Sequence, residues 1–195
     1  ADLPALVALI HAHGGSGLPV LVDQAHGAGA ALEAGADLVV VSCQKSGGGL
    51  AQSALVLHQG ERVDPGAMER ALLWLQSSSP SALLLASAAA SVRHSASAAG
   101  QGQRRRALAI AGRLRRRCHQ KQLPLVHNQD PLRLVLHTAA MGINGLEADG
   151  WLMERGVIGE LPEPGTLTFC LGMQPRPGWN GACLGICWPC AAPLA

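Results

Sequence analysis

Tyrosine is absent from this sequence of 195 residues, and phenylalanine occurs only once. Aromatic residues make up 3% of the chain, whereas 48% of it is hydrophobic and 14% is charged. The chain can therefore form a sizeable core, and that core must be mainly aliphatic. Because proteins that bind single-stranded nucleic acid stack the bases on aromatic side chains, this composition argues against that class of function.

Lysine is almost as scarce as phenylalanine. Of the 15 basic residues, all except Lys45 and Lys121 are arginine. A position that needed only positive charge would be filled by arginine in this chain. A lysine therefore suggests a task that requires an amine able to lose its proton and attack a carbonyl carbon.

Long apolar runs and disulfide patterns are also missing. The longest apolar run, Ala82–Ala90, is too short and too rich in alanine and serine to span a bilayer, and no segment resembles a signal peptide. The six cysteines do not form the pattern of a small disulfide-bonded domain, so we expect free thiols in a reducing cytoplasm. Cys183, Cys187 and Cys190 lack a nearby fourth ligand, and we predict no metal site and no membrane partner.

The order of predicted elements divides the chain into two domains and a tail. Residues 1–100 alternate helices with apolar strands and are predicted to form part of an α/β domain, and residues 101–172 a smaller α+β domain. Residues 173–195 have no periodicity and are predicted to be irregular or disordered. The runs Val20–Asp23 and Asp37–Ser42 predict strands buried on both faces, and the helix between them makes the pair parallel.

The remaining predicted elements are less strongly marked. Leu3–His11 is predicted to be the end of an amphipathic helix, and further helices are predicted at Asp64–Leu75, Ser79–Ser91, Arg104–Gln120 and Gly145–Arg155. Strands are predicted at Gln52–His58, Leu123–His127, Leu132–His137, Val157–Glu160 and Thr166–Leu171. The small polar stretch Ser95–Gln103 is predicted to separate the two domains.

Asp23 and Lys45 form the most informative pair in the sequence. Asp23 ends one apolar strand, and Lys45 lies in a glycine-rich turn just after the next strand. Ligands bind at the carboxyl ends of parallel strands, and neighbouring strands lie about 4.8 Å apart. Pyridoxal 5'-phosphate requires such a pair: an amine that forms a Schiff base with its aldehyde, and a carboxylate that keeps its pyridine nitrogen protonated.

Three stretches of the first domain also resemble a known family. They are Val20–Gly27 (VLVDQAHG), Gly35–Lys45 (GADLVVVSCQK) and Leu75–Ser87 (LQSSSPSALLLAS). Together with Asp130–Arg133 and Gly150–Gly172, they resemble the Orn/Lys/Arg decarboxylase family over most of residues 18–172. The resemblance implies a partial large domain of the aspartate-aminotransferase-like fold (PLP fold type I), with a parallel-type sheet, followed by a smaller α+β domain.

The family resemblance assigns catalytic roles to the first of these stretches. It implies loss of the α-carboxylate of arginine, lysine or ornithine, giving a polyamine-type product. Lys45 matches the family's Schiff-base lysine, Asp23 matches the acid at the pyridine nitrogen, and Ala25 packs under the ring with His26 beside it. Catalytic roles are therefore expected for Lys45, Asp23 and His26.

The resemblance also implies contacts with the cofactor's phosphate. Ser42 matches a phosphate-contacting serine, and Ser77 or Ser78 a hydroxyl that reaches the phosphate of a neighbouring subunit, which implies a homodimer. The family commonly has histidine where this chain has Gln44, so a general acid or phosphate contact is altered there. The family's phosphate loop and ring-stacking aromatic residue precede this region, and we expect the chain to be incomplete at its N terminus.

Other functions fit the sequence less well. The segment Asp23–Gly27 with a glycine-rich lysine turn also resembles the α-oxoamine synthases, which use the same cofactor and an acyl-CoA, and an inactive remnant is a further alternative. The arginines of the predicted helix from Arg104 to Gln120 are interpreted as a solvated face, with its alanines and leucines packed inward. No nucleic-acid partner is therefore expected.

Overall fold

A computed structural model describes residues 2–14, 17–26 and 30–173. The chain divides into two compact units, Ala1–Gly100 and Gln101–Ala195, which are described separately. The predicted irregular tail lies outside the described residues, apart from Met173 at its start. Among the described residues, no helix combines the length and the apolar character needed to cross a membrane.

The first unit contains a three-stranded sheet and four helices, followed by the start of a fifth helix. The helices are α1 (Leu3–His13), α2 (Ala30–Glu33), α3 (Pro65–Leu75) and α4 (Ala82–Ala96), and the strands are β1 (Leu21–Asp23), β2 (Leu38–Ser42) and β3 (Ala54–His58). A π-helical turn, Cys43–Gly47, follows β2 directly.

The sheet of the first unit is mixed. Its strand order is β1-β2-β3; β1 and β2 are parallel, as predicted, whereas β2 and β3 are antiparallel. The prediction of a parallel-type sheet is therefore wrong for β3. The residues between Ser42 and Ala54 are too few for a crossover helix, so the chain turns back along the edge of β2.

One face of this sheet packs against helices and the other is exposed. Val39 and Val41 of β2 are buried together with Val7 of α1 and Ala31 of α2. Val40, which faces the other way, is 41% exposed. Within the described residues, the prediction of strands buried on both faces is therefore wrong, and β2 shows the alternation of a strand covered on one side.

Helices α3 and α4 of the first unit begin at side-chain caps. The Asp64 carboxylate accepts hydrogen bonds from the backbone N–H groups of Gly66 and Ala67, and Pro65 occupies the first helical position, which confirms the predicted start of α3. Ser81, not Ser79, caps α4. That helix extends to Ala96, beyond its predicted end.

The second unit contains the remaining elements. They are α5 (Ala98–Gln120), which begins in the first unit, β4 (Arg133–Leu136), a 3-10 turn (Ala139–Met141), α6 (Gly145–Met153), β5 (Leu161–Glu163) and β6 (Thr166–Cys170). The strand order is β4-β6-β5, and both pairings are antiparallel. Leu114 of α5 and Leu152 of α6 pack on Leu134 and Leu167 of this sheet, and the core is mainly aliphatic, as predicted.

Three predicted segments differ in this region. Leu123–His127 forms only an isolated bridge, between Leu125 and Leu136, because Pro124 has no N–H to donate to a ladder. Val157–Glu160 is not a strand, and β5 begins at Leu161, where Pro162 is tolerated on an edge strand. Ser95–Gln103 is mostly helical, because α5 starts at Ala98, directly after a break at Ser97.

The arginine-rich helix α5 presents its small apolar side chains to the core. Ala107, Ala111 and Leu114 are buried, as predicted. Arg115 is an exception to the predicted solvated face. Its guanidinium donates hydrogen bonds to the carbonyl groups of Asp130 and Arg133, at 3.0 and 2.6 Å, and so fastens the loop before β4 to the helix.

Candidate functional site

The candidate site lies at the carboxyl edge of the two parallel strands. Asp23 is paired in register with Val40, and the Gln24 N–H donates to the Val40 carbonyl at 2.9 Å. Beyond the strand ends the two segments stay adjacent, because the Ser42 N–H donates to the Ala25 carbonyl at 3.4 Å. The turn that follows Asp23 and the turn that carries Lys45 therefore leave the sheet side by side.

Asp23 is the last residue of β1 and lies on the exposed face of the sheet. It alternates with Val22, which packs toward the helices, and shares its face with Leu21 and Val40. Its Oδ1 accepts a hydrogen bond from the Ala25 N–H at 3.0 Å. Within the described part of the chain, its Oδ2 has no hydrogen-bond partner, so one carboxylate oxygen orients the group while the other is available to a ligand.

Lys45 lies in the middle of the π-helical turn, and its side chain is exposed. Among the residues that the structure describes, its amine forms neither an ion pair nor a hydrogen bond. The turn leads into glycines that are sterically required: Gly48 has a φ of 73°, and a Cβ on Gly49 would lie 2.9 Å from the Cβ of Cys43. The glycines thus let the turn close against the buried Cys43.

The other predicted residues fall into two groups. Ala25 and His26 form the turn after β1, and Ser42 is the last residue of β2, so all three lie near Asp23 and the lysine turn. Ser78 is exposed in the link between α3 and α4. In the described ranges, no hydrogen bond joins Ser78 to the other predicted site residues, and its role stays a prediction.

Gln44 is exposed, and its side chain turns back along its own loop. Its Oε1 accepts a hydrogen bond from the Gln52 N–H at 3.2 Å. The residue that precedes the lysine is therefore engaged with backbone at the far side of the turn. Its predicted contact with the cofactor stays a prediction.

The sequence analysis missed a buried acid at the opposite edge of the same strands. Asp37, directly before β2, is 2% exposed. Its Oδ2 accepts hydrogen bonds from the Val20 N–H and from the His11 ring, both at 2.8 Å, and its Oδ1 accepts one from the Arg62 guanidinium at 3.1 Å. One carboxylate thus joins α1, the segment before β1 and the loop after β3.

The charge of Asp37 is stabilised by these partners. Burial alone would raise the pKa of its carboxyl group. The hydrogen bonds from the Val20 N–H, His11 and Arg62 outweigh burial, and the pKa lies below its ordinary value of 3.8. The available sequence signal was an acid in front of an apolar strand, which does not reveal its distant partners.

The chain is similar to curated proteins over most of its length. It is 29% identical over 174 residues to the arginine decarboxylase of Bacillus subtilis, and 30% identical over 175 residues to that of Halalkalibacterium halodurans. These alignments cover 79% and 80% of the chain but 35% of each relative, so the chain spans about a third of their length. No protein-family model matches it.

A solved structure supports the fold. The constitutive lysine decarboxylase of E. coli is similar to the chain with a TM-score of 0.61, over 75% of this chain and 27% of that one, at 17% sequence identity. The mixed α/β architecture of the chain is thus similar to a segment of that structure. The sequence relatives support the resemblance of the motifs around Asp23 and Lys45 to the Orn/Lys/Arg decarboxylase family, and the solved structure supports the fold.

Proposed function

We propose that this protein decarboxylates a basic amino acid, arginine, lysine or ornithine, with pyridoxal 5'-phosphate as its cofactor. The observation that carries the proposal is the placement of Asp23 at the end of β1 and of Lys45 in the turn after β2, at the carboxyl edge of two parallel strands. The names of the relatives support the class of reaction. The choice among the three substrates stays open.

The residues present fit this cofactor chemically. An amine must be accessible and free of an ion pair to join an aldehyde, and Lys45 satisfies both conditions within the described structure. A carboxylate must keep an oxygen free to face the pyridine nitrogen, and Asp23 keeps its Oδ2 free. An arginine in place of Lys45 could not do the same chemistry, because its guanidinium stays protonated.

Each residue has a defined task in the proposed reaction. Lys45 would hold the cofactor through its amine, and Asp23, oriented by the hydrogen bond that it accepts from the Ala25 N–H, would keep the pyridine nitrogen protonated. Ala25 would pack under the ring with His26 beside it, and Ser42 and Gln44, with Ser78 of a neighbouring subunit, would contact the phosphate. The bound cofactor supplies an electron sink for the pair released when the carboxylate leaves.

The family resemblance and the composition also support a proposal about the cellular setting. We place the protein in the cytoplasm, as a homodimer or higher homo-oligomer in polyamine-type metabolism, with an amino acid as its small-molecule ligand. The solvated arginines of α5 require no nucleic-acid partner.

Carbon dioxide release separates this proposal from acyl transfer. Asp23 and Lys45 are shared by decarboxylases and α-oxoamine synthases, so cofactor chemistry cannot distinguish them. We expect release of the labelled carboxylate from at least one of arginine, lysine and ornithine in the absence of any acyl-CoA. The assay is run on the chain alone and on a fusion in which the unmatched residues of the Bacillus subtilis relative complete it.

The same assay includes a panel of acyl-CoAs. Release that depends on an added acyl-CoA would favour a synthase. Absence of release from all three amino acids in the fusion would contradict the proposed decarboxylation and favour a catalytically inactive chain.

A further inference from the structure

The turn that carries Lys45 is held by hydrogen bonds to two side chains, in addition to its backbone hydrogen bonds. Ser87 of α4 accepts a hydrogen bond from the Leu50 N–H at 2.9 Å. Gln44 accepts one from the Gln52 N–H at 3.2 Å. These two bonds capture backbone N–H groups that follow the lysine turn, one from a neighbouring helix and one from within the loop.

The segment from Leu50 to Ser53, which these hydrogen bonds hold, includes an unfavourable backbone conformation. Gln52 has a φ of 68°, in the left-handed region that residues other than glycine rarely adopt. The Ser53 hydroxyl donates to the Leu50 carbonyl at 2.7 Å and closes a tight turn there. The Cys43 N–H donates to the Ser53 carbonyl at 3.0 Å and joins this turn to the start of the lysine turn. Loss of either side-chain bond would therefore remove one of the supports of this segment.

Helix α4 contributes a second contact to the same turn. A Cβ built on Gly47 would lie 3.6 Å from the hydroxyl oxygen of Ser91, so the helix lies directly behind the turn. Ser91 is itself buried and donates to the Ala88 carbonyl at 2.9 Å. Ser87 and Ser91 are one helical turn apart, and α4 thus presents one face to the lysine loop.

We propose that Ser87 and Gln44 are positioning residues for Lys45, which hold its turn in the one conformation that presents the amine to the cofactor. This inference rests on the proposed function. It also gives Gln44 a role different from a proton donor, since its Oε1 accepts a backbone hydrogen bond. Reaction rates depend steeply on the placement of the reacting groups, so a loosened turn slows the reaction of the amine.

The test compares four variants with the unmodified chain, all in the fusion that completes it. Ser87→Ala removes the hydroxyl, and Ser87→Thr keeps it. Gln44→Met removes the acceptor at nearly constant length. Ser95→Ala, an exposed serine on the same helix, is the matched control. Alanine favours helix, so neither serine-to-alanine change should unfold α4.

Two quantities are measured on each variant. Amide hydrogen exchange at Leu50 and Gln52 reports the two hydrogen bonds directly. The initial rate at which pyridoxal phosphate attaches to Lys45, divided by the rate at Lys121, reports the position of the amine. Lys121 is exposed in the second unit and serves as an internal reference.

We expect Ser87→Ala to accelerate exchange at Leu50, and Gln44→Met to accelerate it at Gln52. Each change should lower the Lys45 to Lys121 ratio about 10-fold. Ser87→Thr and Ser95→Ala should leave both quantities near those of the unmodified chain.

Three outcomes would overturn the inference, and each would have a different meaning. Unchanged exchange means that the hydrogen bonds do not hold the loop. Faster exchange with an unchanged ratio means that they hold it without positioning Lys45. An unmodified chain that shows no preference for Lys45 overturns the proposed function as well.

Discussion

Asparagine in place of Asp23 is expected to lower decarboxylation about 100-fold or more, while leaving cofactor binding partly intact. An amide is not an anion and cannot keep a proton on the pyridine nitrogen. The hydrogen bond from the Ala25 N–H to Oδ1 can persist in the variant, because asparagine keeps an acceptor oxygen. The change therefore removes charge without removing the local turn. Labelled carboxylate release and cofactor absorbance, measured on the same sample, separate turnover from binding.

Asp64→Asn is the matched control for this experiment. Asp64 is also exposed and also accepts backbone hydrogen bonds, and asparagine is an equally good helix cap. It should leave turnover nearly unchanged. Near-normal turnover of the Asp23 variant with cofactor bound would mean that another acid serves the pyridine nitrogen.

The second large effect concerns stability. Asp37→Asn is expected to lower the free energy of unfolding by about 3 kcal/mol, because the neutral amide loses charge-assisted hydrogen bonds and leaves a buried donor without an acceptor. The amide replaces one acceptor oxygen with a donor, which then faces the His11 ring or the Arg62 guanidinium. Urea denaturation measures the loss, and Asp64→Asn should cost less than about 1 kcal/mol. A comparably small loss at Asp37 would contradict the structural role described here.

The same residue predicts a pH dependence. Because the folded state lowers the pKa of Asp37 below 3.8, the unfolded chain binds this proton at a higher pH than the folded chain does. Its contribution to stability is complete well above pH 3.8 and is lost as the pH falls through the folded-state pKa. The Asp37→Asn variant should therefore show a smaller loss of stability on acidification than the unmodified protein, in denaturation curves recorded at a series of acidic pH values.

Local signals predicted the parts of the fold that depend on neighbouring residues. The aspartate–proline pair at Asp64 predicted the start of α3, because both the cap and the first helical position are set by adjacent residues. The apolar runs that end at Asp23 and Ser42 predicted β1 and β2, and the helix between them predicted their parallel pairing. These features placed Asp23 and Lys45 at one edge.

Features that depend on distant residues were not predictable in this way. The role of Asp37 requires His11 and Arg62, which lie 26 and 25 positions away in the sequence. The exposed face of β2 depends on what covers the sheet, which the apolar run does not encode. The link from Ser87 to the lysine loop spans 37 positions and has no local signal.

The assignment of Lys45 as the cofactor lysine is tested most directly by selective labelling, because lysine is scarce in this chain. In the fusion that completes the chain, treatment with pyridoxal 5'-phosphate, reduction with borohydride and peptide mapping should place most of the label on Lys45 and little on Lys121. Both lysines are exposed, so exposure alone does not favour either. Lys45→Arg should abolish the specific label, and Lys121→Arg should leave it intact. Equal labelling of the two lysines, or label only at Lys121, would contradict the assignment of Lys45 as the cofactor lysine.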